Sequence, residues 1–157
     1  TIESAVKVNK DQKVMLYKKA ATRLMTFNGL KVAALGLTFK PDTDDIREAP
    51  SLDNIRLLLE QGAKVYAYDP IGTDNFIKAL KYDENNYSGE IEYVMDPLIA
   101  LNNADICFIY TEWEEIRNIT PSTYLELMRT PLVYDGRNIY DVKLMQDNNI
   151  EYYSIGR

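Results

Sequence analysis

The residues best suited to chemistry in this chain gather in one segment, Gly36-Leu37-Thr38-Phe39-Lys40-Pro41-Asp42-Thr43-Asp44-Asp45-Ile46-Arg47-Glu48-Ala49-Pro50-Ser51. It offers Lys40 as a point charge and Arg47 as a planar fork, the two side chains that best complement phosphate oxygens. An aromatic ring, Phe39, precedes the lysine, and Asp44, Asp45 and Glu48 stand where they could orient the two cations. The same residue types would equally suit a solvated loop whose charges pair with one another, and composition alone leaves both readings open. A third cation, Arg137, lies far along the chain in Asp135-Gly136-Arg137-Asn138.

Other chemistry is excluded or weak. The chain has no histidine and one cysteine, which removes histidine acid–base catalysis, Ser-His triads, most zinc sites and any internal disulfide. Cys107 sits inside the apolar run Ile106-Cys107-Phe108-Ile109, where a thiol packs as a small hydrophobe rather than acting as an exposed nucleophile. After Ala34-Leu35-Gly36 no second or third glycine follows, so the glycine-rich dinucleotide fingerprint fails. Asp69 ends a strand where a ribose-binding acid would stand in that motif. Without the glycines, Asp69-Pro70 reads as a turn-forming pair.

The elements that must position these residues alternate. A helix is expected over residues 3–26, where Ala5, Val8, Leu16, Ala20, Leu24 and Met25 recur at helical spacing among lysines and arginines. Asn28-Gly29 ends it, and the apolar run from Lys31 to Gly36 has strand length. Ser51 to Gln61 is helical in pattern, stopped by Gly62. Further strands are predicted over 64–68, 92–94, 105–110, 132–134 and 151–154, with helices over 74–81, 97–102, 121–128 and 142–147. Residues 82–89, rich in Asn, Ser and Gly, read as a mobile surface loop. Regular alternation with buried-looking strands predicts an α/β fold, a three-layer, doubly wound parallel sheet of Rossmann-like type preceded by a long N-terminal helix. Right-handed crossovers bring every strand's C-terminal end to one edge, so residues 36–49, 69–72, 111–113 and 136–138 should meet there, at the edge where such sheets bind ligands.

With 157 residues, 46% hydrophobic content and 27% charged content, the chain suits a single domain with a substantial core. Eighteen Lys and Arg against 24 Asp and Glu give a net charge of −6, the wrong sign for a non-specific nucleic-acid binder. No apolar stretch is long enough to span a bilayer and no secretory leader opens the chain, so a cytoplasmic protein without a membrane partner is expected. The first residue is Thr1, and an excised piece of a longer protein is the favoured explanation.

The sixteen-residue loop closely resembles the signature loop of the UDP-glucose/GDP-mannose dehydrogenase family. The likeness continues through Gly62-Ala63-Lys64-Val65, Tyr68-Asp69-Pro70, Ala104-Asp105, Thr111-Glu112-Trp113, Asp135-Gly136-Arg137-Asn138 and the closing Tyr153-Ser154-Ile155-Gly156-Arg157. It covers nearly all of residues 30–157. The opening helix, with Val8-Asn9 and Gln12, looks like the tail of the family's central helix. The resemblance implies residues 1–28 as that tail and 29–157 as the C-terminal domain for the sugar nucleotide. It further implies an NAD domain, a dimerising central domain and a catalytic cysteine, all outside this chain, so the piece alone would be inactive and the full enzyme a homodimer or larger. Position by position, Phe39, Lys40 and Arg137 match contacts to the nucleotide sugar, and Arg47 matches an arginine that reaches the NAD phosphates. Within the family, the loop and the Ser-Ile-Gly-Arg ending look most like the UDP-glucose branch, with the GDP-mannose and UDP-N-acetylmannosamine branches kept open.

Two rival readings differ in class. Asp44-Asp45 and Thr111 give a superficial case for a response-regulator receiver domain, but that module needs a lysine where this chain has Asp135-Gly136-Arg137, and a shorter first loop. A freestanding nucleotide-binding module also accommodates the sequence. The long charged opening helix, shaped to continue into another domain, argues mildly against it.

Overall fold

The computed structural model describes residues 12–157. Thirteen elements follow in order: α1 (Met15–Leu24), β1 (Lys31–Leu35), α2 (Pro50–Glu60), β2 (Lys64–Tyr68), α3 (Thr73–Leu80), β3 (Glu90–Val94), α4 (Pro97–Leu101), β4 (Ile106–Ile109), α5 (Glu114–Arg117), α6 (Pro121–Leu127), β5 (Leu132–Asp135), α7 (Val142–Asp147) and β6 (Glu151–Ser154). All six strands are parallel and lie in the order β3-β2-β1-β4-β5-β6. This is the expected doubly wound sheet, with its switch point between β1 and β4.

Side-chain alternation explains the two helical layers. Val32 and Ala34 of β1, with Ile106 and Phe108 of β4, face a core filled by α1, α2 and α3 through Leu16, Ala20, Ile55, Leu58 and Phe76. Ala33, Leu35, Cys107 and Ile109 face the opposite core, filled by α4, α6 and α7 through Leu101, Tyr124 and Met145. Central strands buried on both faces must be apolar throughout, as their sequences are. Proline opens three of the helices, at Pro50, Pro97 and Pro121, where its missing N–H costs nothing. Asp96 and Asp141 cap α4 and α7 by accepting from Leu98 N and Leu144 N.

The differences from expectation are local. β3 begins at Glu90 rather than Glu92, because Glu90 pairs in register with Lys64. The single helical turn of α5 was hidden by its length, too short to show a period. Of the helix expected over 3–26, residues 3–11 lie outside the described residues; Gln12 and Lys13 are helical, Val14 forms a turn, and α1 follows. The 82–89 stretch is a surface loop, tied by Tyr82 stacked on Tyr87 and by the Tyr82 hydroxyl donating to Gly89 O at 2.9 Å. Among the described residues no helix is long and apolar enough to cross a membrane.

The turn out of β1 fixes where the long loop starts. Gly36 has φ of +89°, and a Cβ there would meet the Thr111 side chain at 2.5 Å and its backbone nitrogen at 2.7 Å. Neither contact can relax cheaply, since Gly36 N also donates to Tyr68 O and Tyr110 N to Leu35 O. Gly36→Ala is therefore expected to destabilise the fold by about 3 kcal/mol, combining left-handed strain with a clash. Urea unfolding with an unchanged denaturant slope would measure it.

Candidate functional site

The four loops predicted to meet do meet, and one buried carboxylate joins three of them. Asp69 Oδ2 accepts from Leu37 N at 2.7 Å, Thr38 N at 3.1 Å and the Trp113 indole at 3.1 Å. Its Oδ1 accepts from Ile71 N at 3.0 Å and Gly72 N at 2.6 Å. These five donors stabilise a carboxylate that is only 6% exposed and explain why it is not left to bind a ribose. The turn role expected of Asp69 holds, and the link to the other two loops is additional.

The loop after β1 is held along its length. The Thr111 hydroxyl donates to Thr38 O at 2.6 Å, the Thr38 hydroxyl to Lys40 O at 3.0 Å and the Ser51 hydroxyl to Leu37 O at 2.6 Å. Phe39 N donates to Asp45 O at 2.9 Å and closes the loop on itself. The ring of Phe39 is left 44% exposed. Lys40 follows it into solvent, with no ion-pair or hydrogen-bond partner for its ammonium among the described residues.

A second buried carboxylate builds the turn that carries Arg137. Asp135, wholly buried, accepts from Arg137 N at 2.8 Å, Ile139 N at 2.8 Å and the Tyr152 hydroxyl at 2.5 Å. Asn138 exchanges two hydrogen bonds with the backbone of Ile155, at 2.9 and 3.0 Å. The guanidinium then bridges two loops: Nη2 donates to Phe39 O at 2.8 Å and to Glu112 Oε1 at 3.2 Å, and Nε lies 2.7 Å from Glu112 Oε2. The Nε ion pair is close but poorly aligned, so its N–H makes no hydrogen bond; Nη1 likewise has no acceptor among the described residues. The buried Tyr110 hydroxyl also has no hydrogen-bond partner among the described residues, and Tyr110 lines a 50 Å³ cavity with Arg137 and Lys13.

The structure thus brings Phe39 and Arg137 into direct contact, with Lys40 next in the chain. It does not bring Arg47 to them. Arg47 makes a forked ion pair to Asp45, with Nε at 3.0 Å and Nη2 at 3.1 Å, and this partner holds the Asp45 carboxyl below its usual range. Arg47 lines a separate cleft of about 660 Å³ with Asn75 and Lys78. The expectation that Asp44, Asp45 and Glu48 jointly orient Lys40 and Arg47 holds only for Asp45. Asp44 offers its backbone carbonyl to Asn75, and Glu48, at φ of +62°, is turned to pair with Lys13. Glu112, Arg137's acid partner, and Lys13 were not identified as site residues from sequence; both act across long separations that no local pattern signals. Cys107 is fully buried and its thiol is pushed up by burial and by Asp135, as expected of a packing residue.

Residues 33–142 match the model of the UDP-glucose/GDP-mannose dehydrogenase family, UDP binding domain. The chain is 38% identical over 156 residues to UDP-glucose 6-dehydrogenase YwqF of Bacillus subtilis, covering 99% of this chain and 34% of that protein. It is 35% identical over 156 residues to UDP-glucose 6-dehydrogenase TuaD of the same organism, covering 99% and 32%. Among solved structures, a UDP-glucose dehydrogenase from Pyrobaculum islandicum aligns with a TM-score of 0.71 at 30% identity, over 98% of this chain and 31% of that one. An NDP-N-acetyl-D-galactosaminuronic acid dehydrogenase from Methanosarcina mazei aligns with a TM-score of 0.74 at 26% identity, over 96% and 30%. The chain spans about a third of the length of the curated relatives it matches.

Replacing Asp69 by Asn would turn an amide N–H toward backbone donors on at least one side. Asp69→Asn is expected to cost about 3 kcal/mol of stability, the scale of a charge-assisted bond lost in a buried setting. Thermal and urea unfolding of the variant would measure it, with the loss of Trp113 fluorescence shielding as a local reporter.

Proposed function

This chain belongs to the UDP-glucose/GDP-mannose dehydrogenase family, and from that premise we propose that it is the nucleotide-sugar-binding domain of an NAD-dependent UDP-glucose 6-dehydrogenase. Residues 1–28 are then the end of a central helix and 29–157 the domain itself. The observation that carries the reading is Arg137, fixed between Glu112 and the carbonyl of Phe39 at the switch-point edge. A guanidinium already held on one side keeps its free Nη1 donors aimed rather than rotating, which lowers the entropic cost of meeting a diphosphate. Lys40 adds a mobile second charge, and the exposed Phe39 ring gives a face for the base or sugar.

The chain fits NAD only in part. The backbone N–H groups of Leu37 and Thr38, which would meet a pyrophosphate in a dinucleotide fold, are occupied by Asp69. Arg47, held at one end by Asp45 and otherwise exposed, is on this reading the residue that meets the cofactor phosphates from outside this site. When bound, NAD accepts the hydride; this chain's part is to hold and orient the sugar nucleotide while the oxidations proceed on residues beyond it. The full-length enzyme is on this reading cytoplasmic and a homodimer or larger.

In the full-length protein, Arg137→Ala and Lys40→Ala are each expected to weaken UDP-glucose binding or lower kcat/KM by roughly 30- to 100-fold, about 2–3 kcal/mol for a charged contact. Calorimetry and steady-state kinetics would measure this, and wild-type values in both variants would refute the assignment. Backbone amide shifts on titration with UDP-glucose and GDP decide the branch. Shifts over residues 36–49 and 136–138 with the uridine ligand alone support it, whereas a response to GDP moves the substrate to the mannose branch.

A further inference from the structure

Between the helical Gln12 and Lys13 and the start of α1, the hydrogen-bond ladder is interrupted by a side chain from another helix. In an unbroken helix Tyr17 N would donate to Lys13 O. Here Tyr17 N donates instead to Asn54 Oδ1 at 3.0 Å, while Asn54 Nδ2 donates to Lys13 O at 2.5 Å and to Pro50 O at 2.7 Å. The amide is spliced into the hydrogen-bond ladder at the point where Val14 leaves helical geometry, at φ of −98° and ψ of +14°. A side chain inserted into the ladder is an established cause of a helix kink.

The interruption is placed beside the ligand edge. Gln12 and Lys13, just before it, line the 50 Å³ cavity with Arg137 and Tyr110, and also a 400 Å³ cleft with Phe39, Glu48 and Pro50. The Lys13 ammonium pairs with Glu48, a carboxylate 69% exposed, which leaves two of its three N–H donors for another anion. Asn54 itself is wholly buried, on a helix whose other buried residues are Ser51 at its first turn and then Ile55, Leu58 and Leu59. A leucine at 54 would favour packing and leave the neighbouring helix intact, so the amide breaks a local rule where nothing in the core requires it. Such departures gather at functional sites.

We propose that Lys13 is a further cation of the nucleotide-sugar site and that Asn54 is its positioning residue, turning the chain at Gln12 and Lys13 so that Lys13 lies between the cavity lined by Arg137 and the cleft lined by Phe39. The ligand class is the diphosphate of a sugar nucleotide, whose oxygens compete with Glu48 for the Lys13 ammonium. This rests on the reading of the Arg137 edge given above.

The test uses the full-length protein with UDP-glucose as the probe, measured by calorimetry for Lys13→Ala, Lys13→Arg, Asn54→Ala, the Lys13→Ala/Asn54→Ala pair and Arg137→Ala, each with its melting temperature. Lys13→Ala and Asn54→Ala are each expected to raise Kd about tenfold, with Lys13→Arg restoring most of the loss. The pair should also lose about tenfold rather than a hundredfold, because one residue acts through the other. The inference is overturned if Arg137→Ala weakens binding while Lys13→Ala leaves Kd within twofold of wild type. A lowered melting temperature for Asn54→Ala with unchanged affinity overturns the positioning role, as does a fully additive pair. Unchanged Kd in Arg137→Ala would refute the underlying site and this inference with it.

Discussion

Everything at the ligand edge depends on the carboxylate of Asp69. Three loops arrive there from β1, β2 and β4, and each gives it at least one N–H. A buried carboxylate is costly unless nearly all its lone pairs are met, so the charge can be accommodated only while all three loops are in place. The constraint is therefore reciprocal: the loops satisfy Asp69, and Asp69 fixes the loops relative to each other. Phe39 follows Thr38 directly, so the carbonyl that receives Arg137 is positioned one residue beyond an Asp69 bond.

The same device recurs at Asp135, which folds the Gly136–Ile139 turn and fixes the start of the Arg137 side chain. Beyond these two anchors the cations are held in pairs, each with an acid: Arg137 with Glu112, Lys13 with Glu48 and Arg47 with Asp45. Pairing lets an acidic chain of net charge −6 keep cations together at one edge without mutual repulsion. The exposed Arg47–Asp45 pair adds little to stability, and the part-buried Arg137–Glu112 pair serves chiefly to orient the guanidinium. Lys40 makes no ion pair or hydrogen bond through its ammonium among the described residues.

The fold was legible because its determinants are local. Continuous apolar runs such as Val32–Leu35 and Ile106–Ile109 have the length of strands buried on both faces rather than of helices, and Pro50 and Gly62 bracket α2 by backbone chemistry. From there the crossover rule alone assembles the ligand edge. Part of the site was not legible. Glu112 and Lys13 carry no pattern marking them as partners of Arg137 and Glu48, and Asn54 looks like an ordinary helical polar residue. Its insertion between Lys13 and Tyr17 is a contact across 41 residues on one side and 37 on the other. Only the packing of α1 on α2 creates it. Arg47 shows the converse: sequence proximity to Lys40 suggested one cluster, yet Arg47 pairs with Asp45 and lines a cleft that Lys40 does not.

The comparison with a glycine-rich dinucleotide loop explains why side chains must do the work here. In that motif the absence of side chains lets backbone N–H groups approach a pyrophosphate directly. In this chain the equivalent N–H groups, of Leu37 and Thr38, are turned inward to Asp69, and Thr38 is itself buried and bonded to Thr111 and Lys40. Once the backbone donors at the switch point are occupied internally, an anion can be held only by side chains projecting from the loops around it. Backbone recognition tolerates most substitutions, whereas side-chain recognition concentrates affinity in a few residues. On the proposed reading, a fold of Rossmann type can lose the dinucleotide motif and keep an anion site at the same edge, provided that a carboxylate such as Asp69 rigidifies the loops and cations such as Arg137 are fixed in advance.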